Sequence, residues 1–449
     1  MNLVSLECHF PIMGGEAGRC KRFAAENDDD DVETLLHRCP SAYDRRMTTE
    51  DNRSLLQVLL QPDMIKLFLA SLFILSQVLI SFSLIPLYIS HRGGTTFTIG
   101  MQTTVFAVAS VVLRFIFGPM ADSRGRKFVL ALGAFAFSSA QVLIYLSPDF
   151  TWMLLARVYQ AIGMASYLAT ASSLVVDLSP VAMRGSVIGT YRMITPFASL
   201  IGPYLGNVVI NIYGFAAFFA ATAGTAFAAF LLVLSLKAGR RTVGGEITRI
   251  RVGDVLGLFR IPDLQAAYLG VLLVAVGGGV VNTFVTSYGN PYFRNPGAYF
   301  TVYAGVGAVA AFLLGRLSDR AGRRGVAIPV VLAMAAGTAI LPMIDHAPTA
   351  VYVLSAVGTG IGFNAGLSVL ISWIVDVIPD TMRATALSIQ ESWIDGGFAI
   401  GIFLFGTLSV IYGQGRLFLF TGVFVAVGAF AIVAMSSFRR RRSAEEEMS

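Results

Sequence analysis

The sequence predicts an all-α membrane protein of twelve transmembrane helices in two pseudo-symmetric six-helix bundles. Three observations predict it. Of 449 residues, 55% are hydrophobic and only 13% charged, with a mean hydropathy of +0.70, whereas an ordinary soluble domain has roughly 25% charged residues. Apolar runs of helix length recur twelve times, and four short polar motifs return in the second half at a nearly constant offset.

The apolar runs lie at about 63–89, 97–119, 128–147, 151–176, 185–212 and 215–235, then at 263–288, 298–318, 326–344, 349–375, 384–411 and 416–436. At 1.5 Å per residue, about 20 residues cross the roughly 30 Å of hydrocarbon in a bilayer. Backbone groups in lipid must find partners within their own segment. These runs lack the alternation of barrel strands, so they form helices. An even number of crossings puts both ends on one side, and the basic residues say which. Arg124, Arg126, Lys127, Arg184, the group from Lys237 to Arg260, the group from Arg316 to Arg324, Arg383 and Arg439 to Arg442 face one side; Arg92, Arg294 and Arg416 face the other. Both termini are therefore expected in the cytoplasm, and the location is the cytoplasmic (inner) membrane.

The expected organisation is a polar tail at 1–62, a first bundle at 63–235, a cytoplasmic linker at 236–262, a second bundle at 263–436 and a short tail at 437–449. The opening segment is acidic, with the run Asp28 to Asp31, and lacks the basic start and apolar core of a secretory signal. It reads as a disordered cytoplasmic tail. All three cysteines, Cys8, Cys20 and Cys39, lie there without a CxxC pair, so the body needs neither disulfide nor metal. The net charge of +6 sits in short clusters between apolar runs, which argues for loops at a lipid bilayer and against a nucleic-acid partner.

The repeat is specific. Pro62-Asp63 returns as Pro262-Asp263, and Gly118-x3-Asp122-x2-Gly125-Arg126 returns as Gly315-x3-Asp319-x2-Gly322-Arg323. Val176-Asp177-x2-Pro180-x3-Arg184 returns as Val375-Asp376-x2-Pro379-x3-Arg383, and Tyr213-Gly214 as Tyr412-Gly413. With six helices per repeat, the halves have the same topology and should be related by an axis along the membrane normal, an arrangement suited to rocking about a central cavity.

The doubled loop around Asp122 and Asp319 resembles the signature between the second and third helices of the major facilitator superfamily, although Ser123 stands where a basic residue is usual. The resemblance covers about residues 55–440. Arg157-x2-Gln160-x2-Gly163 is similar to the family's fourth-helix signature, with Ala161 in place of a glycine. Gly202-Pro203-x2-Gly206-Asn207 is similar to its fifth-helix signature associated with exporters, with Asn207 in place of the last glycine. The resemblance implies the major facilitator fold and a transporter working as a monomer by alternating access. It implies a cytoplasmic gate built from Gly118, Asp122, Gly125, Arg126, Gly315, Asp319, Gly322 and Arg323. Asp177 with Arg184, and Asp376 with Arg383, read as further gate or capping pairs because they repeat. Gly202, Pro203 and Gly206 read as a close helix contact.

Ionisable groups inside lipid-length helices must be sheltered from acyl chains. Arg157, Arg192, Glu391 and Asp395 are of this kind, with Arg114 nearer the cytoplasmic end of the second segment. Glu391 and Asp395 are four apart and share a helix face. Two carboxylates so close in a poorly solvated cleft leave one able to take and release a proton near neutral pH. Arg192 occupies the repeat position of Glu391, so an Arg192–carboxylate pair between the halves is expected to hold one conformation; a substrate-binding anionic patch without proton coupling and a structural salt bridge are the alternatives. Gln77, Asn282 and Asn364 fall on segments that line the cavity in the family and are candidate substrate contacts or helix–helix hydrogen bonds.

No Gly-x4-Gly-Lys-Ser/Thr loop is present in this sequence, and no site for a cofactor is read from it, so the proton gradient is the expected energy source. The leading expectation is a proton-coupled exporter of a small organic solute. Its rival within the class is an uptake symporter or facilitator. A receptor or scaffold on the same fold is disfavoured by the charges kept inside the spans, and an enzyme by the lack of a visible nucleophile–base or metal constellation.

Overall fold

A computed structural model of the chain describes residues 54–180, 183–237, 261–378 and 383–447; the side chains of Asp122 and Arg383 are outside that description. The acidic tail with its cysteines and most of the expected linker at 236–262 also lie outside the described residues. Residues 54–447 belong to one compact unit apart from Ser54 at its edge.

Every regular element among the described residues is helical. After the single turn α1 (Leu55–Leu59), the first half comprises α2 (Pro62–Ser83), α3 (Ile85–His91), α4 (Thr96–Arg124), α5 (Arg126–Leu146), α6 (Phe150–Leu178), α7 (Arg184–Arg192) and α8 (Ile194–Leu234). The second half comprises α9 (Pro262–Gly289), α10 (Ala298–Ala321), α11 (Arg323–Ala339), α12 (Pro348–Gly360), α13 (Gly366–Val377), α14 (Arg383–Tyr412) and α15 (Gln414–Glu447). Ten helical stretches among the described residues are long and apolar enough to cross a bilayer, against twelve expected runs. Two causes account for the difference. The runs at 185–212 and 215–235 lie in one stretch, Ser186–Leu234, and the run at 326–344 gives the 17-residue α11 followed by a 3-10 turn, Leu341–Asp345.

The repeated motifs turn out to be the punctuation of the helices. Pro62 and Pro262 begin α2 and α9, each followed by an Asp in the first turn, where a missing N–H costs nothing and a negative charge faces the positive helix end. Gly125 and Gly322 separate α4 from α5 and α10 from α11 with φ of 94° and 85°. Gly214 bends α8 with φ 78°, and Gly413 separates α14 from α15 with φ 86°. A side chain at any of these four would be strained, so the turns demand glycine. The run Gly358-x-Gly360-x-Gly362 serves packing. A Cβ on Gly358 would lie 2.9 Å from Gly337 Cα, and the chain continues into the π-helical turn Ile361–Ala365.

Three large apolar clusters hold the molecule together. One belongs to the first half, around Phe106, Phe137 and Tyr167, and one to the second, around Tyr268, Met334 and Trp373. The remaining cluster joins the halves: Ile80, Leu84, Phe218 and Phe219 meet Val280, Phe284, Tyr299 and Phe405. Close backbone contacts accompany it. Thr301 Oγ1 donates to Leu200 O at 3.0 Å, Asn211 Nδ2 to Arg294 O at 2.5 Å, and Thr286 Oγ1 to Ser83 O. Gly297 presses against the main chain of Pro203, with Pro203 C 2.9 Å from where a Cβ would stand. These contacts gather remote from the basic loops, at the ends of α2, α9 and α10 and in the part of α8 that precedes the bend at Gly214.

This seal is sensitive to one atom. Gly297→Val drives a side chain into the Pro203 backbone, which cannot swing aside as a flexible side chain would, at a cost of about 1–3 kcal/mol. The expected outcome is looser closure, measured as faster labelling by an impermeant maleimide of a cysteine placed at Thr301 in a background lacking the three native cysteines.

Candidate functional site

The site is built where α4 of the first half lies along α14 of the second. At the sealed end Gly100 and Gly406 allow close approach, their surroundings including Ile402 O and the Phe284 ring. Next come the rings of Phe82 and Phe398, with centroids 5.7 Å apart, and Phe363 stands 5.8 Å from Phe398. Nearer the basic loops, Arg114 Nη1 of α4 makes an ion pair with Asp395 Oδ2 of α14. Glu391 follows one turn further and is exposed, as is Arg192 at the end of α7.

Helical spacing explains the order. Residues 391, 395 and 398 stand at i, i+4 and i+7, which places two carboxylates and an aromatic ring along one face of α14. That face looks across to the other half: Asp395 reaches Arg114, Phe398 touches Phe82, and the charges of Arg192 and Arg114 bear on Glu391 through space. The expected juxtaposition of arginines with the paired carboxylates is present, but the direct partner is Arg114 and not Arg192. The reason is packing: α4 runs alongside α14, whereas Arg192 sits at the break between α7 and α8 and forms no ion pair within 4 Å among the described residues. Sequence alone marks Arg114 as an intramembrane charge without identifying its partner, 281 positions away.

Arg157 is drawn away from this cleft. It is wholly buried in the first half, with Nη1 donating to Ser81 Oγ and Gln160 Oε1 and the Phe106 ring 4.2 Å from its guanidinium carbon. Gln77 Nε2 donates to Thr225 Oγ1 at 2.6 Å, a bond between α2 and α8. Asn282 and Asn364 donate to carbonyls one turn back, Gly278 O at 2.8 Å and Gly360 O at 3.2 Å. All three amides are thus engaged in helix bonds. Gly202 and Gly206 let α8 approach α2: a Cβ on Gly202 would stand 3.5 Å from Ser76, and one on Gly206 2.6 Å from Leu84 Cδ1.

The basic ends show paired clamps. Arg126 makes an ion pair with Asp177 and also donates to Ser173 O. Its repeat counterpart Arg323 binds Asp376 through Nε at 2.6 Å and pairs with Asp319, while Nη1 also donates to Ser318 Oγ at 2.7 Å. The hydrogen bond to Asp376, opposed by partial burial, pushes Arg323 still higher than an ordinary guanidinium. Asp177 therefore pairs with the arginine that begins α5, not with Arg184 seven residues onward, and Asp376 with the arginine that begins α11; the expected Asp376–Arg383 pair falls on the Arg383 side chain, outside the described residues. Arg184 is exposed at the start of α7, whereas Asp177 lies in the last turn of α6, which ends at Leu178. Gly118 faces open space and Gly315 has only Ser368 Oγ nearby, at 3.9 Å, so of the loop glycines it is Gly125 and Gly322 that carry a backbone requirement. Each clamp ties helices of its own half.

Among the described residues no cluster of His, Cys, Asp and Glu suits a metal ion. Removing Arg114 would leave Asp395 charged with no ion-pair partner. In a double-mutant cycle of Arg114→Ala with Asp395→Ala, thermal unfolding in detergent is expected to give a coupling of about 1–3 kcal/mol, each single change costing more than the pair together.

The sequence matches the Major Facilitator Superfamily over residues 67–296 and again over 295–448. It is similar to the multidrug resistance protein MdtG of Citrobacter koseri, 25% identical over 372 residues that cover 80% of this chain and 90% of that protein. The MdtG of Salmonella typhi is 24% identical over 376 residues, covering 81% and 92%. Among solved structures, the nucleoside transporter NupG superposes with a TM-score of 0.71 at 15% identity, covering 82% of this chain and 98% of that one. The peptide transporter POT in complex with sulfate gives 0.72 at 12% identity, covering 88% and 98%. With an all-helical unit, a seal at one end and matches that between them span most of the sequence, this chain belongs to the Major Facilitator Superfamily.

Proposed function

We propose that this chain is a proton-coupled secondary transporter that moves a small organic solute through a cleft between two six-helix bundles, residues 63–235 and 263–436. As a superfamily member it is a multi-pass membrane transporter and not an enzyme. The reading of twelve crossings rests on the bend at Gly214, which divides the Ser186–Leu234 stretch, and on α11 with its following turn as a short span. The distribution of basic loops supports a cleft that opens, and termini that lie, on the cytoplasmic side.

The observation that carries the mechanism is the Arg114–Asp395 pair between the halves, with Glu391 one turn away under the influence of Arg192. In the empty, deprotonated carrier each carboxylate is opposed by an arginine of the other bundle, so the charges remain compensated while the bundles rock. A proton on either carboxylate weakens that opposition and frees the facing arginine. Solute binding and proton binding thereby act on the same contact, which is how a gradient can drive the cycle. An empty carrier that keeps its charges compensated can return unloaded, and this favours uptake by symport or facilitated entry. Export by proton exchange is the second reading. Gly202-Pro203 seated against Gly297 and the likeness to multidrug resistance proteins support it.

Glu391→Gln and Asp395→Asn are each expected to abolish pH-gradient-driven flux in proteoliposomes screened with a panel of labelled organic solutes. Counterflow exchange should survive the substitution at whichever carboxylate does not touch solute. Gradient-driven flux unchanged in both variants would remove the proton role. The sign of flux on reversing the pH gradient separates symport, in which solute follows the proton, from antiport.

A further inference from the structure

The buried arginine of the first bundle lacks a counter-ion. Arg157 is 0% exposed, and the partners of its Nη1, Ser81 Oγ and Gln160 Oε1, are both neutral. Ser81 donates to the same Gln160 oxygen at 3.2 Å, closing a triangle. Phe106 covers the guanidinium face. The Nε and Nη2 groups of Arg157 have no acceptor, and Gln160 Nε2 has none either.

Gln141 of α5 is a second buried group of unmet polarity at the same level of the bundle. It is 1% exposed, and neither its amide nitrogen nor its oxygen has a partner. The antiparallel register of α5 on α6 sets its level. A Cβ on Gly163 would meet the Phe137 ring, and Ser139 Oγ lies 2.9 Å from Tyr159 Oη. Gln141, one turn beyond Phe137, is therefore level with Gln160.

An enclosed guanidinium costs several kcal/mol unless an opposite charge compensates it. Among the described residues, no carboxylate lies within ion-pair distance of Arg157. Water would satisfy the free N–H groups but leave the charge. Arg157 and Gln160 present three unpaired nitrogens, Nε and Nη2 of the one and Nε2 of the other, and no unpaired acceptor, which suits an anion and not a cation. Because Ser81, Gln141, Arg157 and Gln160 are all closed off, only a monatomic or similarly small ion could be accommodated without opening the bundle.

We propose that Arg157, Gln160 and Gln141 form an occluded binding site for a small monovalent anion of the halide class inside the first bundle. Its occupancy neutralises Arg157 and locks α2, α4, α5 and α6 together at the level of the Phe82–Phe106 contact, whose rings lie 5.4 Å apart.

The test is thermal unfolding of the full chain in detergent at fixed ionic strength, with chloride exchanged for bulky gluconate. The wild-type midpoint is expected to rise with chloride, by about 2 °C once it stands roughly tenfold above its dissociation constant. Arg157→Met should lose the response, and Gln141→Leu and Gln160→Leu should each shift it to higher chloride. Chloride NMR should show excess line width in the wild type that bromide competes away. Equal midpoints in the two salts would mean a hydrated nest without an anion and would overturn the proposal. A chloride response retained in Arg157→Met would overturn it as well. Should Arg157→Met not fold, unaltered chloride dependence in both glutamine variants does the same.

Discussion

A charged side chain midway along a lipid-length helix is stable only where protein or water replaces the acyl chains around it, and in this chain that constraint organises the interior. Asp395 is sheltered because α14 lies against α4, and Arg114 answers its charge from the opposite half. The helix face that carries Asp395 must therefore look toward the other bundle. Glu391 and Phe398, one turn to either side, are carried to the same cleft by helical period alone. Nothing comparable holds for Arg157, whose hydrogen-bond partners all lie inside a single half.

The two ends of the molecule use different physics. At the sealed end the halves share one apolar cluster, closed by backbone contacts at Pro203, Leu200 and Ser83. In lipid there is no hydrophobic gain from bringing helices together, so close packing at glycine and backbone hydrogen bonds supply the attraction. At the basic end ion pairs do this work, and each stays within its own half: Arg126 with Asp177, Arg323 with Asp319 and Asp376, Arg324 with Asp263. Clamps of this kind make each bundle rigid while leaving the bundles separable. A rigid pair of bodies joined at one end is what rocking about a cleft requires.

The repeat links these observations. Its anchors are mainly positions where the chain must turn or begin a helix, namely Gly125 and Gly322, Gly214 and Gly413, Pro62 and Pro262. The side chains that differ between the halves carry the asymmetry of function. Arg192 in the first half corresponds to Glu391 in the second, opposite charges at equivalent positions that act on each other through space without an ion pair. Duplication preserved the scaffold and left the facing helices free to diverge.

Much of the architecture was legible in the chain itself. Hydrophobic length, the distribution of lysine and arginine, and glycines required at positive φ are local properties, and local properties determine where helices start, stop and turn. The shared face of Glu391 and Asp395 was legible for the same reason. Which residues meet across long separations was decided only by the tertiary packing. Asp395 chose Arg114 over Arg192 because α4, and not α7, runs beside α14. Asp177 chose Arg126, which opens the preceding helix α5, over Arg184 seven positions onward, and Asp376 pairs with the equivalent Arg323 of α11. Gln77, Asn282 and Asn364 look alike in sequence to residues that line a cleft; in the fold their amide nitrogens donate to helix acceptors, while Gln77 Oε1 has no partner, because packing and not sequence sets which acceptors come within reach.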